Sequence, residues 1–146
     1  RDIKPANILY NLRDDSLKIS DFGVARLTDN NRTKTGIVLG TPMYMSPEQL
    51  NAATLTGQSD LFSLGVTLYE LLAGEVPFKA DNIAVLMTKI TTEEPAPISN
   101  RRAGVPPSVD AVILKAMAKS PENRFASGGE MAMALRNCAR YASRKR

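Results

Sequence analysis

The chain has 146 residues, 43% of them apolar, with 9 Gly and 9 Pro; this supports one domain with an ordinary core and excludes a low-complexity or disordered chain. There is no histidine and only one cysteine, Cys138, so a zinc site, a Ser-His or Cys-His triad and an internal disulfide are excluded, and a reducing, cytoplasmic setting is expected. The net charge of +4 sits in the last seven residues as Arg140, Arg144, Lys145 and Arg146; the rest carries 15 basic against 15 acidic residues, which argues against a nucleic-acid partner.

In chain order, Arg1-Asp2-Ile3-Lys4-Pro5-Ala6-Asn7 gathers a carboxylate, a lysine and an amide. Residues 8–20 read as a hairpin, with Ile8–Leu12 and Leu17–Ser20 flanking the polar turn Arg13-Asp14-Asp15. Asp21-Phe22-Gly23 follows, fourteen residues after Asn7. Residues 24–45 are polar, rich in Thr, Gly and Asn, and read as a long loop, a length that usually marks function. From Ser59 the pattern turns helical. Residues 60–73 are apolar on nearly every face, the mark of a helix buried all round, and Gly74 stops it. Ser63, Thr67 and Glu70 break this apolar run, which is too short and too polar to cross a bilayer.

Asp81 or Asn82 can cap a second helix that places Ile83, Leu86, Met87 and Ile90 on one face. Pro95, Pro97, Pro106 and Pro107 bracket an extended connection. A third helix carries Val109, Val112, Ile113, Ala116 and Met117 on one stripe. A fourth opens with Ser127 and Glu130 spaced as a capping box and buries Met131, Leu135 and Cys138. The methionines and Cys138 stand at core spacing and read as packing. The fold class expected is mainly α with a small β-hairpin.

Two carboxylates, Asp2 and Asp21, an amide, Asn7, and Lys4 thus stand at the two ends of a hairpin. Asp and Asn oxygens are hard ligands suited to Mg²⁺ with substrate phosphates. A lysine nearby offsets developing phosphate charge, and a second carboxylate can accept a hydroxyl proton. Each of these residues alone is equally at home in a turn or a cap.

Taken together, the string resembles the protein-kinase catalytic loop H-R-D-x-K-x-x-N from its Arg onward, and Asp21-Phe22-Gly23 resembles the kinase D-F-G motif. Gly40-Thr41-Pro42-Met43-Tyr44-Met45-Ser46-Pro47-Glu48 and Ser59-Asp60-Leu61-Phe62-Ser63-Leu64-Gly65 are similar to bacterial Hanks-type serine/threonine kinases. The resemblance runs to about residue 139 and implies a protein-kinase-like C-lobe (α+β family) with the N-lobe absent. Residues 1–139 would be the lobe, with 1–7 the catalytic loop and 21–48 the activation segment, and 140–146 a basic tail. The start at Arg rather than Met leads to the expectation of a fragment.

Roles follow from the resemblance, position by position. Asp2 would orient the substrate hydroxyl and accept its proton, and Lys4 would neutralise the transferring γ-phosphate of ATP. Asn7 and Asp21 would hold Mg²⁺, and Leu9 would floor the adenine pocket. Thr41 would bridge Asp2 and Lys4 and shape the substrate slot. Arg1 would pair with a phosphate on the activation segment, where Thr33 and Thr35 lead as acceptors, ahead of Ser46 and Thr28. Glu48 would form a buried ion pair with Arg124, and Asp60 would accept hydrogen bonds from the catalytic-loop backbone near Arg1.

No G-x-G-x-x-G strand-turn, V-A-I-K lysine or αC glutamate occurs in these residues, and Gly128-Gly129 opens a helix rather than following a strand. A fragment without these ATP-positioning groups is expected to be inactive or nearly so, and to expose the apolar surface of its hairpin. The implied partners are protein substrates, the kinase N-lobe and a second copy for autophosphorylation, with no membrane segment in this chain; the parent protein could carry its own tether. One alternative is a truncated, non-catalytic scaffold that binds kinases or their substrates, against which stand the intact Asp2, Lys4, Asn7 and Asp21. A small-molecule kinase of the aminoglycoside or choline type is the other; those lack the Gly40–Glu48 segment.

Overall fold

In the computed structural model, which describes residues 2–20 and 42–143, an extended start leads through a 3-10 turn, Pro5–Asn7, into an antiparallel hairpin. Its strands are β1 (Ile8–Asn11) and β2 (Ser16–Ile19), in the register Ile8↔Ile19, Leu9↔Lys18, Tyr10↔Leu17 and Asn11↔Ser16. Opposed residues share a face, so Ile8, Tyr10, Leu17 and Ile19 line one side and Leu9 and Lys18 the other. The first strand starts where expected and ends one residue earlier, and the second runs one residue earlier than expected. The Asn11 side chain accepts from Arg13 N at 3.0 Å and Asp14 accepts from Ser16 N at 3.0 Å, while Asp15 takes a left-handed φ of 53°. This local side-chain bonding draws Leu12 into the turn, where it is 86% exposed, and brings Ser16 into β2.

A second 3-10 turn, Pro42–Tyr44, lies within the stretch expected to be loop; residues 24–41 lie outside the described residues. Helix α1 (Pro47–Leu50) is started by Ser46, whose hydroxyl accepts from Gln49 N while the Gln49 side chain accepts from Ser46 N at 2.8 Å. Helix α2 (Gly57–Ala73) opens on a second reciprocal cap, between Thr56 and Ser59, and ends at Gly74, which takes φ 81°. That left-handed geometry is open to glycine at no steric cost.

Helices α3 (Ile83–Thr92), α4 (Pro107–Ala116) and α5 (Gly128–Ser143) pack around α2. On one side, Phe62, Val66 and Tyr69 of α2 meet Leu86 and Ile90 of α3, Ile98, and Ile113 and Met117 around α4. On another, Leu61 joins Val112 and Ala116 of α4, Phe125, and Met131 and Cys138 of α5. Serving two clusters at once is why residues 60–73 show no polar face. Each fully buried Phe or Val is worth roughly 1.5–3 kcal/mol.

Of the two candidate caps, Asn82 is the one that caps α3, accepting from Ala84 N at 2.8 Å. Two helical details differ from expectation. Ile83 is 42% exposed, because it stands in the uncovered first turn while Leu86 and Ile90 carry the buried face. At the start of α5 the Ser127 hydroxyl accepts from Glu130 N, but the Glu130 carboxylate reaches past Ser127 to Ala126 N at 2.8 Å. Helix α5 runs on to Ser143, so Arg140 is helical. Among the described residues, no helix is long and apolar enough to cross a membrane.

Candidate active site

The site is built where the chain enters and leaves the hairpin. Lys4 is extended, with φ −158° and ψ 160°, and Pro5 starts the turn that follows with its φ already fixed. The turn closes with Asn7 N donating to Lys4 O at 3.0 Å. It carries the Asn7 side chain back over Asp2, where Nδ2 donates to the Asp2 carbonyl at 2.8 Å and to Asp2 Oδ2 at 3.0 Å. Lys4 Nζ reaches the same Oδ2 at 2.9 Å. Ser20 N donates to Asn7 O at 2.8 Å, so the exit of the hairpin is pinned beside its entrance. Ser20 directly precedes Asp21 in the sequence; Asp21 itself lies outside the described residues.

Asp2, Lys4 and Asn7 therefore form one bonded group. Burial raises the Asp2 carboxyl, but hydrogen bonds from Lys4 and Asn7 and the Lys4 charge outweigh it and hold the group below its ordinary value. Asn7 is buried, and commitment of its amide nitrogen to Asp2 fixes the orientation of the amide. Its Oδ1 is then a hard oxygen suited to a cation, and Mg²⁺ usually takes only one or two such protein ligands. The donor chemistry of Asn7 thus fits Mg²⁺. Among the described residues there is no cluster of three or more potential metal-ligating side chains. Leu9 lies on β1, 58% exposed.

The second group fixes the segment that follows Thr41. Tyr44 Oη donates to Glu70 Oε2 at 2.6 Å, and Ser63 Oγ donates to Tyr44 O at 2.7 Å, so the Pro42–Tyr44 turn is held on α2 by two hydrogen bonds. Burial and then the Glu70 carboxylate push the Tyr44 phenol well above its ordinary value. Sequence reading missed this attachment: Ser63 and Glu70 stand out only as interruptions of an apolar run.

Glu48 and Arg124 meet as a bidentate pair, Nη1–Oε1 at 2.6 Å and Nη2–Oε2 at 2.9 Å, with the Arg124 side chain fully buried. The remaining guanidinium hydrogens go to Ala118 O, Gln58 O and Lys119 O, at 2.7, 2.9 and 3.0 Å, so all five donors are used. Burial alone would raise the Glu48 carboxyl, but Arg124 and then Ser59 bring it down to about 2. Gln58 Nε2, also missed in the sequence, adds bonds to Pro121 O and Phe125 O at 2.8 and 3.3 Å. Asp60 sits half-buried in the first turn of α2. Arg1, Thr28, Thr33, Thr35 and Thr41 lie outside the described residues.

The protein kinase domain profile matches residues 1–136. Serine/threonine-protein kinase PknB of Mycolicibacterium smegmatis is 46% identical over 134 residues, and PknB of Mycobacterium tuberculosis 43% identical over 134. Each alignment covers 90% of this chain and 21% of the relative. Serine/threonine-protein kinase pkn3 of Myxococcus xanthus is 43% identical over 137 residues, 87% of this chain and 25% of that protein. The chain spans about a fifth to a quarter of the length of these relatives. With a profile match over nearly its whole length and a bonded Asp2–Lys4–Asn7 group at the mouth of the hairpin, the chain belongs to the protein kinase domain family.

Proposed function

We propose that this chain forms the catalytic-loop and substrate-seating part of a protein serine/threonine kinase, which transfers the γ-phosphate of ATP to Ser and Thr hydroxyls of other proteins. The observation that carries this reading is the convergence of Lys4 Nζ and Asn7 Nδ2 on one oxygen of Asp2, at 2.9 and 3.0 Å. Asp2 is held in place by both neighbours, and among the described residues nothing bonds its Oδ1, which would be left for a substrate hydroxyl. A carboxylate kept below its ordinary range is a weak base, so its first task is orientation. It takes the proton as the attacking oxygen gives up electron density in a loose transition state. Lys4, beside Asp2, would place its charge where phosphate charge develops.

Bound Mg²⁺-ATP would supply the phosphoryl group and the cations that offset its charge, with Asn7 and Asp21 as metal ligands and Leu9 beneath the adenine. Thr41 would help to seat the substrate, and Arg1 would receive a phosphate carried by Thr33 or Thr35. These 146 residues contain no glycine-rich loop or V-A-I-K lysine, so transfer would require an N-lobe from outside them. Protein substrates and a second kinase copy are the partners, and the cytoplasm is the setting.

The test is Mg²⁺-dependent transfer of labelled phosphate from ATP to a generic protein substrate by the protein at its full natural length. Label should appear on Ser or Thr, and Asp2→Asn should lower the rate by about 10²–10⁴-fold. Label confined to Tyr, or a rate untouched by Asp2→Asn, would sink the reading.

A further inference from the structure

Away from the catalytic loop, Lys119 holds its amine in surroundings unlike those of a surface lysine. It follows α4, and its Nζ crosses to α3, where it donates to Ile90 O at 2.9 Å. That carbonyl lies in the last turn of α3, where carbonyls have no helical donor left. Nζ also stands 4.2 Å from the centre of the Phe78 ring and 5.9 Å from that of Phe62. Phe62, Phe78 and Ile90 are all buried, so the amine borders dry surface while the residue as a whole stays half-buried. The Lys119 carbonyl accepts from Arg124 Nη2 at 3.0 Å, which fixes the backbone that carries the side chain.

Among the described residues no carboxylate forms an ion pair with Lys119, whereas Lys4, Lys79 and Lys115 each have one. Glu48 is taken up by Arg124. Burial therefore dominates and brings the Lys119 ammonium down from its ordinary 10.5 to about 8. Of the charges that face it, Glu94 and Glu93 past the end of α3 raise it and Arg124 lowers it. At pH 7.5 roughly a quarter of such an amine is uncharged, against about a thousandth at the ordinary value. An uncharged lysine amine on apolar surface is a nucleophile.

We propose that Lys119 is an acyl-acceptor site, its amine taking the acyl group of a small thioester. The Nζ lone pair attacks the thioester carbonyl. The N–C bond forms as the C–S bond breaks, and the proton shed by nitrogen leaves on the thiolate as free thiol. The amide keeps one N–H for Ile90 O, and its uncharged plane can lie against the Phe78 ring, so the surroundings suit the product. What is lost is the cation held against two ring faces, and with it part of the tie between the end of α3 and the segment that carries Arg124. The inference stands on Lys119 and its neighbours and does not depend on the kinase reading.

The experiment is incubation of the full-length protein with acetyl-coenzyme A at pH 7.5, with acetylation at each lysine followed by peptide mass spectrometry. Lys119 should react at least about tenfold faster than Lys18 and Lys79, which are exposed. Its rate should climb with pH and level off above about pH 8. In denaturing urea the three lysines should react alike, because the preference comes from packing against the rings. Equal rates in the folded protein, or a preference for Lys119 that persists in urea, would overturn the proposal.

Discussion

Arg124 is the residue on which most of the described lobe converges. Its guanidinium joins Glu48 at the head of α1 to the Gln58 carbonyl of α2 and to the carbonyls of Ala118 and Lys119 after α4, and lies 5.0 Å from the Phe62 ring centre. Arg124→Ala would leave Glu48 as an uncompensated buried charge and cost about 3–5 kcal/mol, read as a fall in the urea midpoint. Arg124→Lys should recover little, since an ammonium cannot hold both carboxylate oxygens and three carbonyls. The same pair sets a pH dependence. Glu48 titrates at about 2 in the folded chain against an ordinary value of 4.5. Because the folded value is the lower, the stabilisation is complete above pH 4.5 and is lost as pH falls towards 2. Urea midpoints at pH 6 and pH 3 should differ more for the natural chain than for Glu48→Gln.

At the scale of elements, α2 shows what a sequence exposes and what it hides. Its burial on several sides was legible because residues 60–73 lack a polar face, and its end because Gly74 is the residue suited to a left-handed φ. Its start was placed late. The reciprocal cap between Thr56 and Ser59 begins the helix at Gly57, and neither residue has the acidic N3 partner of the usual signature. Gly65 is a further hidden constraint: a Cβ there would come within 2.9 Å of Met117 Cγ and 3.1 Å of Ala116 Cβ, so α2 and α4 touch through that glycine. Gly65→Ala should therefore destabilise by about 1–3 kcal/mol despite its better helix propensity, measured by thermal or urea unfolding. The attachment of the Pro42–Tyr44 turn to α2 was not legible, because it depends on Ser63 and Tyr44 meeting across 19 residues of sequence. The Glu48–Arg124 pair is more distant still, 76 residues apart, and came into view through the family resemblance, not through periodicity.

At the scale of the whole molecule, the helices close two cores around α2 while the hairpin is left apolar and open. Leu9, Tyr10 and Leu17 are 54–58% exposed and Leu12 86%. A run of this kind on a small sheet invites a cover. The 146-residue chain by itself is expected to bind a hydrophobic dye and to self-associate, and Leu12→Ser with Leu17→Thr should reduce both, read by dye fluorescence and sedimentation. On the proposed function, transfer would depend on positioning the nucleotide as well as the hydroxyl, beyond the bonded Asp2, Lys4 and Asn7 group. The most direct measurement is therefore labelled phosphate transfer by the 146-residue chain and by the full-length protein, each with an Asp2→Asn control. The account predicts transfer by the full-length protein, its loss in the control, and none by the shorter chain. Transfer by the 146 residues alone, abolished by Asp2→Asn, would contradict it and mean that these residues position ATP without an N-lobe.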